Sequence, residues 1–470
     1  MHRFSSKLKQ TKLIRTGLVL NSIAACNRTP RVYLCVSMDE SQPWKRLDTQ
    51  VGNYEPHLFR QLGTIVEGIT SLAAGAPPPS ILKDSAKLLE QSAVKRLTEE
   101  AAAEGDLMQY GNTRGDPKFR IELATFLTKM YGAPVDRDDI MCTAGATHGL
   151  YTLCTQLFKA GDIVFVEDPT YFLAQVIFRK DCQLTMVPVP TDDKGMDMEA
   201  LDRLMTEYKD KGVTKVSEKR PYRSLIYLVP CFHNPTSRCM APERCERVVQ
   251  LARKHESLIV CDDVYNTLSW IPKPDGSFDD PPQRLFAYDK KTDTDYKGGH
   301  VVSNGSFSKF MGPGLRLGWY EAPARLHTIL IESGYLDSGG GFNQFTGGIM
   351  GTAMEMGLVE KHINNVRKYY QDAVVAVCQV LRENMPKGTK FHEPQGGYFI
   401  WIELPEGADV STLRQICMDE HKISFLPGHT CSPEGNYQNC LRISFSYYPK
   451  EELVRAVTVL CEAATKMVQQ

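Results

Sequence analysis

At 470 residues the chain is too long for a small module and corresponds to about three domains, or two large ones. Its 42% hydrophobic and 24% charged residues are ordinary globular proportions, which excludes a disordered chain, and no apolar run reaches the about 18 residues that span a bilayer. The net charge is −1, but seven basic residues and no acidic one fall in residues 1–38, so the remainder is net acidic and general nucleic-acid binding is disfavoured.

That basic segment (Arg3, Lys7, Lys9, Lys12, Arg15, Arg28, Arg31) reads like a transit peptide and points to a mitochondrial protein. A plain tail on a cytoplasmic protein, or a start at Met38, are the alternatives. The 14 cysteines form no CxxC pair and have no clustered histidines, so zinc and disulfide frameworks are not expected and no metal site is assigned.

From about residue 117 helix and strand signals alternate. Phe119, Leu123, Phe126, Leu127 and Met130 recur at helical spacing, then Ile140–Cys142 forms a short apolar run. Leu150, Leu153, Cys154 and Leu157 make the next helical face. Ile163–Val166, Leu225–Val229 and Leu258–Cys261 are continuous apolar runs of strand length, and a helix carrying Cys245, Val248, Val249 and Ala252 separates the last two. Val301–Val302 begins another strand. Strands apolar on both faces, alternating with amphipathic helices, predict an α/β fold with a mostly parallel sheet covered on both sides. Ligands of such sheets sit at the carboxyl ends of the strands. Polar residues follow each run there: Thr143–Gly145, Glu167–Pro169, Pro230–Pro235, Asp262–Asp263 and Ser303–Lys309. Glu207–Ser224 and Ile271–His300 read as solvated insertions. A helix over roughly Met356–Glu383, strands at Gly396–Ile402 and Cys440–Ser446, and a closing helix from Glu451 predict a smaller α+β domain. The expected division is 1–38, 39–104 (contributing to the small domain), 105–345 (large domain) and 346–470.

The chemistry concentrates in Ser303-Asn304-Gly305-Ser306-Phe307-Ser308-Lys309-Phe310-Met311-Gly312-Pro313-Gly314-Leu315-Arg316. Hydroxyls and an arginine in Gly-rich turns suit a phosphate, and a lysine beside a bound phosphate suits Schiff-base chemistry with a phosphorylated aldehyde. This segment resembles the cofactor-lysine motif of the class I/II pyridoxal-phosphate (PLP) aminotransferases of the aspartate aminotransferase fold. Pro77-Pro78-Pro79 and the Gly-Ser-Phe-Ser-Lys stretch look nearest to the 2-aminoadipate, kynurenine and aromatic branch.

The resemblance implies a large domain with a seven-stranded-type sheet. It makes Lys309 the Schiff-base lysine and catalytic residue, with Ser306, Ser308 and Arg316 as phosphate ligands. Other motifs are similar in the family's order. Asp262, in Cys261-Asp262-Asp263-Val264-Tyr265, would face the pyridine nitrogen, and Tyr265 the ring's phenolic oxygen. Asn234, in Phe232-His233-Asn234-Pro235, would be the second partner of that oxygen and lie near the substrate; His233 is given no role. Tyr171 would stack on the ring. Gly145, Ala146 and Thr147 would meet the phosphate through backbone N–H groups at a helix start, with the Thr147 hydroxyl as a possible extra, although relatives often carry Ser and Gln where this chain has Ala146 and Thr147. Tyr110 would reach the phosphate of a neighbouring subunit, making a two-fold homodimer with shared sites. Arg442, in Asn439-Cys440-Leu441-Arg442, would grip the substrate α-carboxylate, and Gly75 would contact it through backbone.

The implied reaction moves an amino group from an L-amino acid to a 2-oxo acid, with 2-oxoglutarate as the expected acceptor. The same residues would serve a β-lyase or decarboxylase, which differ in the Cα bond set perpendicular to the ring. A transcriptional regulator built on this fold would need a helix-turn-helix module ahead of residue 66, where no paired-helix pattern is found.

Overall fold

The computed structural model describes residues 68–271, 273 and 278–469. The basic segment 1–38 and residues 39–67 lie outside the described residues. After a two-residue strand β1 (Thr70–Ser71) and helices α1 (Pro79–Ala102) and α2 (Pro117–Tyr131), strands and helices alternate. They are β2 (Ile140–Thr143), α3 (Ala146–Leu157), β3 (Ile163–Asp168), β4 (Thr185–Asp192), β5 (Gly195–Met196), α4 (Met198–Glu207), β6 (Ser224–Leu228), α5 (Pro242–Lys254), β7 (Ser257–Asp262), β8 (Val301–Ser306) and β9 (Gly318–Glu321). The chain continues through α6 (Gln344–Glu355), α7 (Leu358–Asn384), β10 (Lys390–Phe391), β11 (Phe399–Glu403), α8 (Val410–His421), β12 (Ile423–Ser424), β13 (Leu426–Pro427), β14 (Cys440–Ser444) and α9 (Lys450–Gln469).

The central sheet has the order β2-β9-β8-β7-β6-β3-β4-β5. β4, β3, β6, β7 and β8 pair in parallel, whereas β9 runs antiparallel to both β8 and β2. The sheet is thus mostly parallel, as expected. The two-residue β5, turned back on β4, makes it eight strands and not the expected seven. A second sheet, β10-β11-β14-β13, is antiparallel throughout, and β1 pairs with β12 in parallel.

Alternation along each central strand sends successive side chains to opposite faces. Leu258 and Val260 of β7 join one core with Tyr227, Phe119 and Leu153. Ile259 and Cys261 join the other, with Met205 of α4 and Val248 of α5. Both cores exclude water, and the runs Ile163–Val166, Leu225–Leu228 and Leu258–Cys261 are accordingly apolar.

Local signals end the helices. Asp116 accepts from the Phe119 N–H at 2.7 Å, Pro117 occupies the first turn, and Gly132 closes α2 at φ 60°.

Neither insertion is simply solvated, and in 207–224 Thr214 and Tyr222 are buried. In 271–300 Arg284 is buried and paired with Glu321 of β9, and Leu285 lies in the core beneath α5. Arg253 of α5, also buried, holds the same insertion through Asp289, Asp293 and Asp295. β4 and β9 are not legible in the sequence. β4 is half-exposed and carries Pro188 and Pro190, which read against a strand, and β9 follows directly on the Gly-rich turn. Among the described residues, no helix is long and apolar enough to cross a membrane.

Candidate active site

The carboxyl ends of β2, β3, β6, β7 and β8 open on one side of the sheet, because these five strands share one direction. A cleft of about 420 Å³ lies there. Gly75, Ala146, Thr147, Tyr171, Asn234 and Asp262 line it, as do Tyr265, Ser306, Ser308, Lys309 and Arg316. Three predicted residues stand outside its wall. Gly145 lies behind Arg316, Arg442 is buried behind Asn234, and Tyr110 is 78% exposed to solvent.

One end of the cleft is built for an anion. α3 begins at Gly145 (φ 89°) with no side chain capping it, which leaves its first N–H groups without a helical acceptor. A Cβ at Gly145 would stand 2.9 Å from Nη2 of Arg316. That guanidinium is held by the carbonyls of Pro313 and Ala144, at 3.0 and 3.1 Å. The Ser306 and Ser308 hydroxyls are 2.9 Å apart beside it.

Lys309 lies between that end and the floor. Its Nζ donates to the Gly75 carbonyl at 3.1 Å and stands 5.8 Å from the Tyr265 ring centre. Burial lowers its pKa to about 8, against the opposing pull of Asp262. About a tenth of the amine is therefore neutral at pH 7, and half at about pH 8.

Asp262, at the end of β7, is the floor. Burial raises its pKa, opposed by a hydrogen bond from the Tyr227 hydroxyl to Oδ2 at 2.7 Å and by the Lys309 charge. Its Oδ1 is buried without a protein partner. A carboxylate oxygen facing a cleft in that state suits a cationic N–H.

At the far side, Arg442 of β14 donates from Nη1 to Asn234 Oδ1 and from Nη2 to the Ala73 carbonyl, both at 2.8 Å. The Phe399 ring covers its guanidinium at 3.8 Å, and its Nε has no partner.

Sequence reasoning missed three side chains. Tyr227 reaches Asp262, Tyr398 donates to the Lys309 carbonyl, and Phe399 covers Arg442. The Gly-Gly-Tyr-Phe signal was visible as a strand but carried no hint of its partners. His233, given no role, is buried with its Nε2 3.2 Å from Glu167 Oε2.

The anion cradle, the buried amine and the orphaned carboxylate oxygen of this cleft suit a phosphorylated, nitrogen-containing aldehyde cofactor. Residues 68–460 match the aminotransferase class I and II family, and the chain belongs to it. It is a PLP-dependent transaminase, exchanging an amino group between an amino acid and a 2-oxo acid. The chain is 30% identical over 407 residues to aromatic-amino-acid aminotransferase 1 of Thermococcus litoralis, covering 86% of this chain and 90% of that one. It is 24% identical over 396 residues to the mitochondrial kynurenine/alpha-aminoadipate aminotransferase of Mus musculus, covering 80% and 87%. The crystal structure of Pyrococcus horikoshii kynurenine aminotransferase, in complex with PMP, superposes with a TM-score of 0.71 at 28% identity, covering 85% and 91%.

Proposed function

We propose that the protein transfers the amino group of an aromatic, kynurenine-type or 2-aminoadipate-type L-amino acid to 2-oxoglutarate. The observation that carries this reading is that Lys309, Asp262 and Arg316 line one cleft, with Arg442 behind Asn234. The named activities of the relatives support the choice of substrates.

Bound PLP supplies the aldehyde that receives the amino group and the ring that takes up the electrons left on Cα. Ser306, Ser308, Arg316 and the backbone of Gly145, Ala146 and Thr147 hold its phosphate, and Tyr171 offers it a flat face. Asp262 Oδ1 would keep the ring nitrogen protonated, and Tyr265 and Asn234 would hold the phenolic oxygen. Arg442, held by Asn234 and Ala73, would bind the substrate α-carboxylate, with Gly75 beside it. The Lys309 Nζ would bind the cofactor's aldehyde carbon, and its freed amine would carry the proton from the substrate Cα to that carbon.

The same reading makes the protein a homodimer with Tyr110 donated across the interface, which the exposure of that side chain supports. It divides the chain into a 105–345 large domain and a small domain from 39–104 and 346–470, and it sends the protein to mitochondria through residues 1–38. Purified protein incubated with a panel of L-amino acids and 2-oxoglutarate tests the substrate. Glutamate should form with aromatic, kynurenine or 2-aminoadipate donors. Glutamate formed only with other donors, or with none, overturns the assignment.

A further inference from the structure

Tyr227 and Asp262 belong to different strands, and the sheet register brings them together. Tyr227 of β6 sits opposite Val260 of β7, so Asp262, two residues on, projects from the same face. The Tyr227 side chain is fully buried, with Phe178 edge-on to its ring at 5.3 Å. Packing alone would be met by phenylalanine. The hydroxyl does something further: it has one proton, and it donates that proton to Oδ2 of Asp262 at 2.7 Å. Oδ1 is left buried, bare of protein donors, and at the wall of the cleft.

We propose that Tyr227 is a positioning residue for the reaction, holding Oδ2 of Asp262 so that Oδ1 alone, ionised and fixed in direction, meets the ring nitrogen of the cofactor. This rests on the reading that Asp262 faces that nitrogen. The groups around the carboxylate make the phenol matter. Lys309 is the cation that favours its charge, and that help falls away when the amine is engaged in chemistry. Tyr171, Tyr265 and the neighbouring Asp263 lie close enough to feel its charge, and none of them donates a hydrogen bond to it. Glu167 of β3 lies on the far side of Tyr227, where its charge also opposes ionisation of the phenol and so keeps the proton on Oη. The carboxylate in this desolvated place thus relies on Tyr227 for both its charge and its orientation.

The test compares two ligands on the cofactor-free protein: PLP itself, and its 1-deaza analogue, in which carbon replaces the ring nitrogen. Tyr227→Phe should weaken PLP about ten- to a hundredfold, as loss of a hydrogen bond to a charged group does, and leave the analogue's affinity unchanged. Equal weakening of both ligands means that Tyr227 only packs, and no weakening means that Asp262 does not need it; either overturns the proposal. Asp262→Asn, measured alongside, should itself erase most of the preference for PLP over the analogue. If it does not, the reading of Asp262 fails, and the proposal with it. In the Asp262→Asn background no charge needs the phenol, so adding Tyr227→Phe should cost PLP no further affinity. A further loss there contradicts the proposal, including in the case where the single variant folds poorly.

Discussion

Nη1 of Arg442 donates to Oδ1 of Asn234 at 2.8 Å, tying β14 to the loop after β6 across 208 positions of the chain. With Nη2 on the Ala73 carbonyl, the guanidinium is held ready behind the cleft, by the residue that also lines it. Arg442→Ala is expected to lower kcat/KM by about 2–5 kcal/mol, the scale for one partner of a buried charge pair, while cofactor content stays at the wild-type level. Arg442→Lys should restore little, because an ammonium cannot make the paired bonds of a guanidinium. Initial rates against substrate concentration, with cofactor absorbance read on the same samples, check both statements.

Lys309 gives a pH dependence with a definite sign. Its pKa is lowered from 10.5 to about 8 in the folded protein, chiefly by burial. Between those values the unfolded chain carries a proton that the native one does not, so this group's contribution to stability rises with pH across the window and its cost is greatest below about 8. Cofactor-free Lys309→Met should therefore be more stable than wild type at pH 7, by on the order of 1–3 kcal/mol, with the gap closing towards pH 10.5. Denaturant titrations at both pH values measure it. Capture of PLP by the cofactor-free wild type should quicken as pH rises through about 8, because the neutral amine is the nucleophile. Borohydride treatment of the loaded protein should place the cofactor on Lys309 by peptide mass, and Lys309→Ala should abolish turnover.

Gly145 is a third point of control. Its φ of 89° is one that a side chain disfavours, and a Cβ would press on Arg316 Nη2 at 2.9 Å. Gly145→Ala is expected to cost about 1–2 kcal/mol in backbone strain and to push the guanidinium from the anion end of the cleft. PLP should bind more weakly, and added PLP should recover part of the lost activity. Fluorescence titration of the cofactor-free variant reads the affinity directly.

Tyr110 tests the dimer. If it serves the neighbouring subunit, Tyr110→Phe and Lys309→Ala chains, each impaired alone, should recover part of their activity on mixing, because one of the two hybrid sites keeps both residues. A fully active monomer in sedimentation would contradict the shared site.

The sequence by itself determined the class of sheet and the order of the polar segments at its edge. Within Ile163–Asp168 and Ser257–Asp262 the runs Ile163–Val166 and Leu258–Cys261 are buried on both faces and apolar, and polar side chains follow where each run stops. Asp262 falls at such a stop, and the role of each cleft residue was named from the resemblance of the motifs there to those of the aminotransferases. The tertiary structure alone decided who touches whom. Tyr227 meets Asp262 because β6 lies beside β7 in one register, Arg442 meets Asn234 because β14 packs behind the central sheet, and Arg284 is buried because Glu321 of β9 lies within reach. Strand order and register are set by the packing of the whole chain, so a partner 35 or 208 positions away leaves no local periodicity to read.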